Sequence, residues 1–355
     1  MEIGSFFEFP DYENVKETNS ALYNIKTGYG SNFNSIFVGD GRQAIKAVLL
    51  NFISELKDKK IYLPSYLCGS ILQPFKELSL KFDFYGHTHP LRPNINFSLK
   101  NSLIYIIDYF GTEVLSNKEI EELSENNLII LDITHSIFNK KRFKIKSENV
   151  IMVASLRKIF PIPDGGVIYC KNFININKCK YNKYIKMLEA MFLKKYYITN
   201  NNENLKEYFL ELYKNYEKLK DHSIIKIFDI PPISLEILQN LNINKLLSKR
   251  KENLNYFYNN LNNEVIKPLF EKTKVESPFF MPILFKNEKI RETYRKKLIE
   301  FKIYPPIHWE LPNDVPRKFR YEHELSKNIL SLPIDQRYGL KEMKCIVNLL
   351  NRKYW

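Results

Sequence analysis

Lys158 leaves one apolar run, Val153-Ala154-Ser155-Leu156-Arg157-Lys158, and shortly precedes another, Asp164-Gly165-Gly166-Val167-Ile168-Tyr169. Upstream, the apolar run Leu128-Ile129-Ile130-Leu131 ends on a carboxylate, Asp132. A lysine and an aspartate at neighbouring strand ends, with Ser155 three residues before the lysine, are the groups that pyridoxal phosphate chemistry uses. The amine forms a Schiff base, the carboxylate keeps the pyridine nitrogen protonated, and the hydroxyl can bond the phosphate. The same spacing also fits a surface lysine among many and an aspartate in a turn. On spacing alone both readings stay open.

Other segments offer further groups. Gly39-Asp40-Gly41-Arg42 opens a stretch with apolar residues at 45, 48, 49, 52 and 53, the spacing of a helix face. Free backbone N–H groups at such a helix start can bind phosphate. This turn lacks the Lys-Ser/Thr ending of a P-loop and the third glycine of a dinucleotide fingerprint. Ile61-Tyr62-Leu63-Pro64-Ser65-Tyr66 reads as a strand and turn, with Tyr66 available to stack on a flat ring. In Asp132-Ile133-Thr134-His135-Ser136 an imidazole follows the carboxylate. Asp–His pairs also occur in hydrolases and metal sites, but no G-x-S-x-G is present. His87-x-His89 lacks a third ligand nearby and reads as a pair of loop histidines, so no metal is expected.

The elements that must hold these groups alternate. Strands are expected at 60–64, 80–85, 102–108, 127–132, 150–155 and 166–170, with helical stretches such as 69–78 and 117–125 between them. That pattern predicts an α/β fold with a mainly parallel, covered sheet. Residues 1–35 read as an arm, and 176–220 as helical and rich in Lys, Tyr and Asn. Beyond Pro231-Pro232 come a helix to about 261, a strand at 279–285, a helix at 287–301, a Pro-rich loop from 304 to 316 and a closing helix at 340–352.

The order of these segments resembles the DegT/StrS-type family of nucleotide-sugar aminotransferases, pyridoxal phosphate enzymes of the aspartate aminotransferase fold. The resemblance runs through Gly41-Arg42-Gln43-Ala44-Ile45, Leu63-Pro64-Ser65-Tyr66, Tyr109-Phe110-Gly111, Asp132-Ile133-Thr134-His135-Ser136, Ser155-Leu156-Arg157-Lys158 and Asp164-Gly165-Gly166. It continues in Pro232-Ile233-Ser234-Leu235 through Lys249-Arg250, in Tyr304-Pro305-Pro306-Ile307-His308-Trp309, and in Leu332-Pro333. It implies a fold-type-I enzyme with a large cofactor domain over 1–230, including the arm, and a smaller α+β domain over 231–355. It also implies a homodimer with active sites at the interface. The implied reaction moves an amino group, from glutamate, to a keto-deoxysugar linked to a nucleotide, in surface polysaccharide or glycan biosynthesis.

The resemblance assigns roles as well. Lys158 holds the cofactor, Asp132 pairs with the ring nitrogen, Tyr66 stacks on the ring and His135 lies near its phenolic oxygen. Gly41, Arg42 and Ser155 hold the phosphate, and His308 touches substrate. Three departures stand out. Arg42 follows Gly41 where the family has Thr or Ser, the serine sits three rather than five residues before the lysine, and Asp164 replaces a glutamate. The S-x-x-K spacing, with Arg317, Arg320 and Arg337 available to clamp a carboxylate, leaves a keto-acid transaminase open. A lyase or dehydratase of the same fold is disfavoured by the retained lysine. A non-catalytic binding protein keeping the fold is the alternative outside enzymes.

Composition agrees with a soluble globular chain. Of 355 residues 26% are charged and 44% hydrophobic. The net charge of +14 is dispersed, with no basic stripe, so no specific nucleic-acid partner is expected. No apolar run approaches the roughly 18 residues of a membrane span. Four scattered cysteines without a C-x-x-C pair, and an N-terminus without a signal-peptide pattern, suit the cytoplasm.

Overall fold

A computed structural model describes residues 2–172, 174–180 and 184–354. The chain enters with a two-residue strand β1 (Ile3–Gly4), then β2 (Asn34–Val38) and helix α1 (Gly41–Asn51). Next come β3 (Lys60–Pro64), β4 (Asp83–Tyr85), β5 (Ser102–Ile107), α2 (Asn117–Ser124), β6 (Asn127–Asp132), β7 (Val150–Ser155) and β8 (Gly166–Cys170). A hairpin of α3 (Ile185–Asn200) and α4 (Lys206–His222) follows, then α5 (Pro232–Gln239) and α6 (Ile243–Asn260). The C-terminal part contains β9 (Ile266–Pro268), β10 (Met281–Phe285), α7 (Glu288–Glu300), β11 (Ile303–Tyr304), α8 (Arg320–Asn328), β12 (Ile329–Leu332) and α9 (Leu340–Leu350).

Seven strands form one sheet in the order β2-β8-β7-β6-β5-β3-β4. β4, β3, β5, β6 and β7 run parallel to one another, and β8 is antiparallel to both of its neighbours, β7 and β2. Every residue of β5 and β6 is buried, which is why these segments read as continuous apolar runs rather than alternating ones. The sheet is as expected from residue 60 onward. β2, inside the stretch read as an arm, was not foreseen, because Asn34-Ser35-Ile36-Phe37-Val38 has one edge and carries two polar residues. Antiparallel β9, β10 and β12 make a separate three-stranded sheet, in which β9 and β12 also went unread. Pro268 sits in β9, and β12 is four residues long.

Two cores result. The larger surrounds the seven-stranded sheet and takes in Ile237, Leu238 and Ile243. The smaller holds Leu254 and Phe257, α7, α9 and the three-stranded sheet, together with Ile3 of the arm. Helix α6 therefore passes from one core to the other along its length. β1 pairs with β11, and this pairing draws the arm onto the small sheet's side of the molecule.

Two close approaches fix the start of α1 against the sheet. A Cβ on Gly41 would lie 2.8 Å from Ser155 Cβ, and one on Gly166 would lie 2.4 Å from the Asp40 carbonyl. Asp40 caps α1, accepting from the Gln43 N–H at 2.9 Å.

Just after β5, Asp108 is gripped by Arg142 through Nε (2.7 Å) and Nη2 (2.6 Å), with both side chains fully buried. Ser136 donates to the same carboxylate at 2.9 Å, and Arg142 also donates to Asn117 and the Leu115 carbonyl, both at 2.8 Å. The cluster ties the turns after β5 and β6 to the start of α2. Removing one partner strands a buried charge. Asp108→Ala is expected to lower unfolding free energy by about 3–5 kcal/mol, read from urea denaturation. A pairwise replacement of Asp108 and Arg142 by apolar residues should cost less than the single change.

Candidate active site

The carboxyl ends of β6 and β7, the start of α1 and the last turn of α4 enclose a cavity of about 550 Å³. Its walls include Asp132, Thr134 and His135 after β6, Ser155, Arg157 and Lys158 after β7, and Gly41 and Arg42 of α1. His308 and Trp309 enter from the small-sheet side, and Glu217, Lys220 and Asp221 from α4. Seven of the eight residues singled out in the sequence thus share one space. The exception is Tyr66.

Tyr66 is fully buried and is not in the cavity wall. Its hydroxyl donates to the His308 carbonyl, and its ring packs against Tyr109 and Trp309 with centroids 5.7 and 5.6 Å away. The expectation that Tyr66 presents a stacking face is therefore corrected: it supports the segment that faces the cavity. Cys68, two residues on, and Trp309 face it instead. His87 also differs from the loop residue expected. It is buried, with Nδ1 3.0 Å from Glu322 Oε1 and Nε2 3.3 Å from the Tyr109 hydroxyl. Ser65 donates to the same Glu322 oxygen at 2.9 Å, so one buried network reaches from α8 to the backbone of His308.

Lys158 keeps accessible surface because it faces the cavity. Among the described residues no hydrogen bond or ion pair engages its amine. Enclosure by protein and then the neighbouring Arg157 charge hold its pKa below the usual lysine range, against the opposing influence of Cys68 and Glu217. That raises the fraction of free amine, the nucleophilic form. Arg157 itself is taken up by Glu217 (3.0 Å).

Asp132 is 9% exposed and, among the described residues, receives only neutral donors, including the Tyr105 hydroxyl at 2.8 Å and the Thr134 N–H at 2.9 Å. Burial raises its pKa, the hydrogen bonds from Thr134 and Tyr105 resist, and Asp108 adds to the rise. A buried carboxylate with no cation beside it suits a cationic ligand group. His135 accepts the Phe110 N–H at Nδ1 (3.2 Å), which puts the proton of a neutral ring on Nε2. Burial keeps that ring neutral, with its pKa well below the ordinary histidine value.

At the α1 end, Asp40 already caps the Gln43 amide, leaving the Gly41 and Arg42 amides as the helix's unused donors beside the cavity. The Arg42 guanidinium is held by Gln73 (3.0 Å) and Asp221. Lys220 bridges Asp40 (2.8 Å) and Asp164 (3.0 Å), and Asp164 also accepts from Tyr216. No sequence signal marked Glu217, Lys220 or Asp221, because α4 is merely rich in charged residues like the rest of the chain. Among the described residues, no group of three or more His, Cys, Asp or Glu could hold a metal ion. No described helix is long and apolar enough to cross a membrane.

The fold matches solved structures over almost the whole chain. Helicobacter pylori PseC, an aminotransferase involved in the biosynthesis of pseudoaminic acid, superposes with a TM-score of 0.62 at 13% identity, covering 99% of this chain and 98% of its own. A DegT DnrJ EryC1 StrS aminotransferase from Brucella abortus gives 0.63 at 14% identity, covering 96% and 90%. The chain has the fold-type-I aminotransferase fold. Spr1654 of Streptococcus pneumoniae, solved in its PLP form, gives 0.64 at 12% identity, covering 96% and 91%. No family model matches the sequence, and no curated protein matches it significantly.

His308 provides a stability test of this geometry. Burial pushes its pKa down to about 3, so between pH 6.5 and about 3 the unfolded chain takes up a proton that the folded chain refuses. Stability from this group is complete above pH 6.5 and is lost as pH falls through that window. His308→Gln should show a shallower decline in thermal midpoint between pH 6.5 and 4 than the unaltered protein. Equal slopes would contradict the buried neutral imidazole.

Proposed function

We propose that the protein is a pyridoxal phosphate-dependent aminotransferase. It moves an amino group, from glutamate, to a keto-deoxysugar linked to a nucleotide, in surface polysaccharide or glycan biosynthesis. The observation that carries this reading is the pairing, across one cavity, of an unengaged Lys158 amine and a buried Asp132 carboxylate that lacks a cation. The fold shared with aminotransferases, PseC among them, supports it.

The residues fit the cofactor. Lys158 would hold it covalently, Asp132 would face the ring nitrogen, and His135 would turn its Nε2–H toward the phenolic oxygen. The Gly41 and Arg42 amides and the Ser155 hydroxyl would take the phosphate, with Arg42 and Lys220 as nearby cations. The chemistry the cofactor supplies when bound is a ring that withdraws electrons from an attached amine. Lys158 would also be the base at hand to move a proton at the substrate carbon, and its lowered pKa favours that role. Asp132, facing the ring nitrogen, would favour its protonated form. Trp309 and Phe279 give the cavity aromatic walls.

The retained Lys158 disfavours the dehydratase alternative. The balanced charge of the cavity disfavours a nucleic-acid site, since the cations Arg42, Arg157 and Lys220 face the carboxylates Asp40, Glu217 and Asp221. A homodimer in the cytoplasm remains part of the proposal.

Three outcomes test this function. Incubation with pyridoxal phosphate should give a visible absorbance band, borohydride reduction should fix the pyridoxyl label on Lys158, and Lys158→Ala should lose both. A label on another lysine refutes the site. Asp132→Ala should retain the label but lose most transamination, since one charge-assisted hydrogen bond of about 1.5–3 kcal/mol is at stake. Enzyme loaded with an amino group should regain its band rapidly with a keto-sugar nucleotide. Recovery with simple keto acids other than the donor's own product, and none with keto-sugar nucleotides, defeats the acceptor assignment.

A further inference from the structure

The three cations at the α1 end of the cavity are all paired. Arg157 bonds Glu217, Lys220 bridges Asp40 and Asp164, and Arg42 donates from Nη2 to Asp221 Oδ1. Asp40, Glu217 and Asp221 stand in the cavity wall with these cations, and the buried Asp164 adds a fourth carboxylate. Four carboxylates therefore oppose three cations beside the Gly41 and Arg42 amides. A phosphate dianion arriving there meets no unpaired cation at this end, and the carboxylates repel it. For the field to favour it, one ion pair has to open.

The four carboxylates differ in what it costs to release them. The Asp164 side chain is fully buried, that of Asp40 is 7% exposed, that of Glu217 26% and that of Asp221 56%. A buried carboxylate that loses its partner stays uncompensated, whereas an exposed one passes to water. Asp221 is also the penultimate residue of α4, where the negative end of the helix dipole disfavours a carboxylate. The needs of α4 therefore do not explain it. Arg42 does not rely on Asp221 for its position either. Its Nη1 donates to Gln73 Oε1 (3.0 Å), and Gln73 Nε2 donates to the Ser223 carbonyl just after α4 (3.0 Å). Lys220 holds the same turn of α4 from the other side. Asp221 is thus free to rotate outward while the guanidinium and the helix keep their places.

We infer that Asp221 stands in for the cofactor's phosphate at the Arg42 guanidinium and is displaced when phosphate binds, so that α4 carries a built-in competitor for the site. This rests on the aminotransferase reading for where the phosphate lies, and adds what regulates its binding. Arg42 has five N–H groups, of which Gln73 and Asp221 take two. The exchange turns Nη2 to the phosphate, and the planar fork suits two of its oxygens. It also gives a use to Arg42 at the position where the resembled family has Thr or Ser. The single hydroxyl bond is replaced by a guanidinium held in reserve.

The test uses Asp221→Asn, which keeps the size of the side chain and removes its charge. Inorganic phosphate is titrated calorimetrically into the protein without added cofactor, at constant ionic strength. Asp221→Asn is expected to bind it roughly fivefold more tightly than the unaltered protein, the upper range for a partly exposed ion pair. Pyridoxal phosphate should show a similar gain by absorbance titration, and pyridoxal, which lacks the phosphate, none. Arg42→Gln should weaken phosphate binding, and adding Asp221→Asn to it should restore nothing. Weaker binding in Asp221→Asn would mean that Asp221 orients Arg42 for the ligand, and it overturns the exchange, as does equal binding. A gain that persists in the Arg42→Gln background also overturns it, because the effect would then be one of overall charge. No phosphate binding to either protein has the same consequence. Failure of pyridoxal phosphate to bind, with inorganic phosphate behaving as expected, would instead defeat the aminotransferase reading and support the exchange.

Discussion

The burial of β5, β6 and β7 on both faces is the constraint on which the rest of the structure depends. Such strands can carry almost no polar side chains along their length. Polar groups therefore gather where the strands end, and Asp108, Asp132 and Ser155 stand at or next to three adjacent carboxyl ends. Ligands of open α/β sheets bind at such edges. The close packing of Gly41 on Ser155 brings the first turn of α1 to the same edge. One packing requirement thus collects a carboxylate, a hydroxyl and free helix amides in one place before any chemistry is considered.

Electrostatics then differentiates two carboxylates of that edge. Asp108 is neutralised outright by Arg142, at full burial, and becomes structural. Asp132 receives hydrogen bonds but no cation, so its charge is left for a ligand. A similar contrast separates two arginines of the C-terminal part. Arg337 grips Asp335, whereas Arg250 bonds only neutral acceptors. At the α1 end the opposite holds, with Arg42, Arg157 and Lys220 each matched by a carboxylate, two of them from α4. The net charge of +14 is consequently a property of the outer surface and not of the cavity.

The small-sheet side is held in place from beneath. Glu322 on α8 bonds His87 and Ser65, His87 meets Tyr109, and Tyr109 bonds the carbonyl of Tyr66, whose hydroxyl bonds the carbonyl of His308. These side chains are buried, where unsatisfied polar groups are costly, so the network specifies one position for the His308-Trp309 segment. Tyr66 acts on the cavity through that backbone rather than through its ring.

By itself the sequence determined the parts that depend on local pattern. Continuous apolar runs ending in Asp132 and near Lys158 mark buried parallel strands, because double-sided burial removes alternation, and a glycine turn before helical spacing marks α1. Those features marked the sheet from residue 60 onward and the cavity residues Gly41, Arg42, Asp132, His135, Ser155 and Lys158. Tertiary structure decided what depends on contacts between distant segments. β2 and β12 are short or mixed in polarity and exist because a neighbouring strand pairs with them. Tyr66 and Cys68 lie on one loop, and only the packing of Trp309 and Tyr109 selects which of them faces the cavity. Lys220, Glu217 and Asp221 sit in a stretch whose composition matches the whole chain, and the folding of α4 onto α1 brings them to the edge. Whether an arginine is spent or available is likewise a question of which carboxylate the fold places beside it, and no spacing along the chain encodes that.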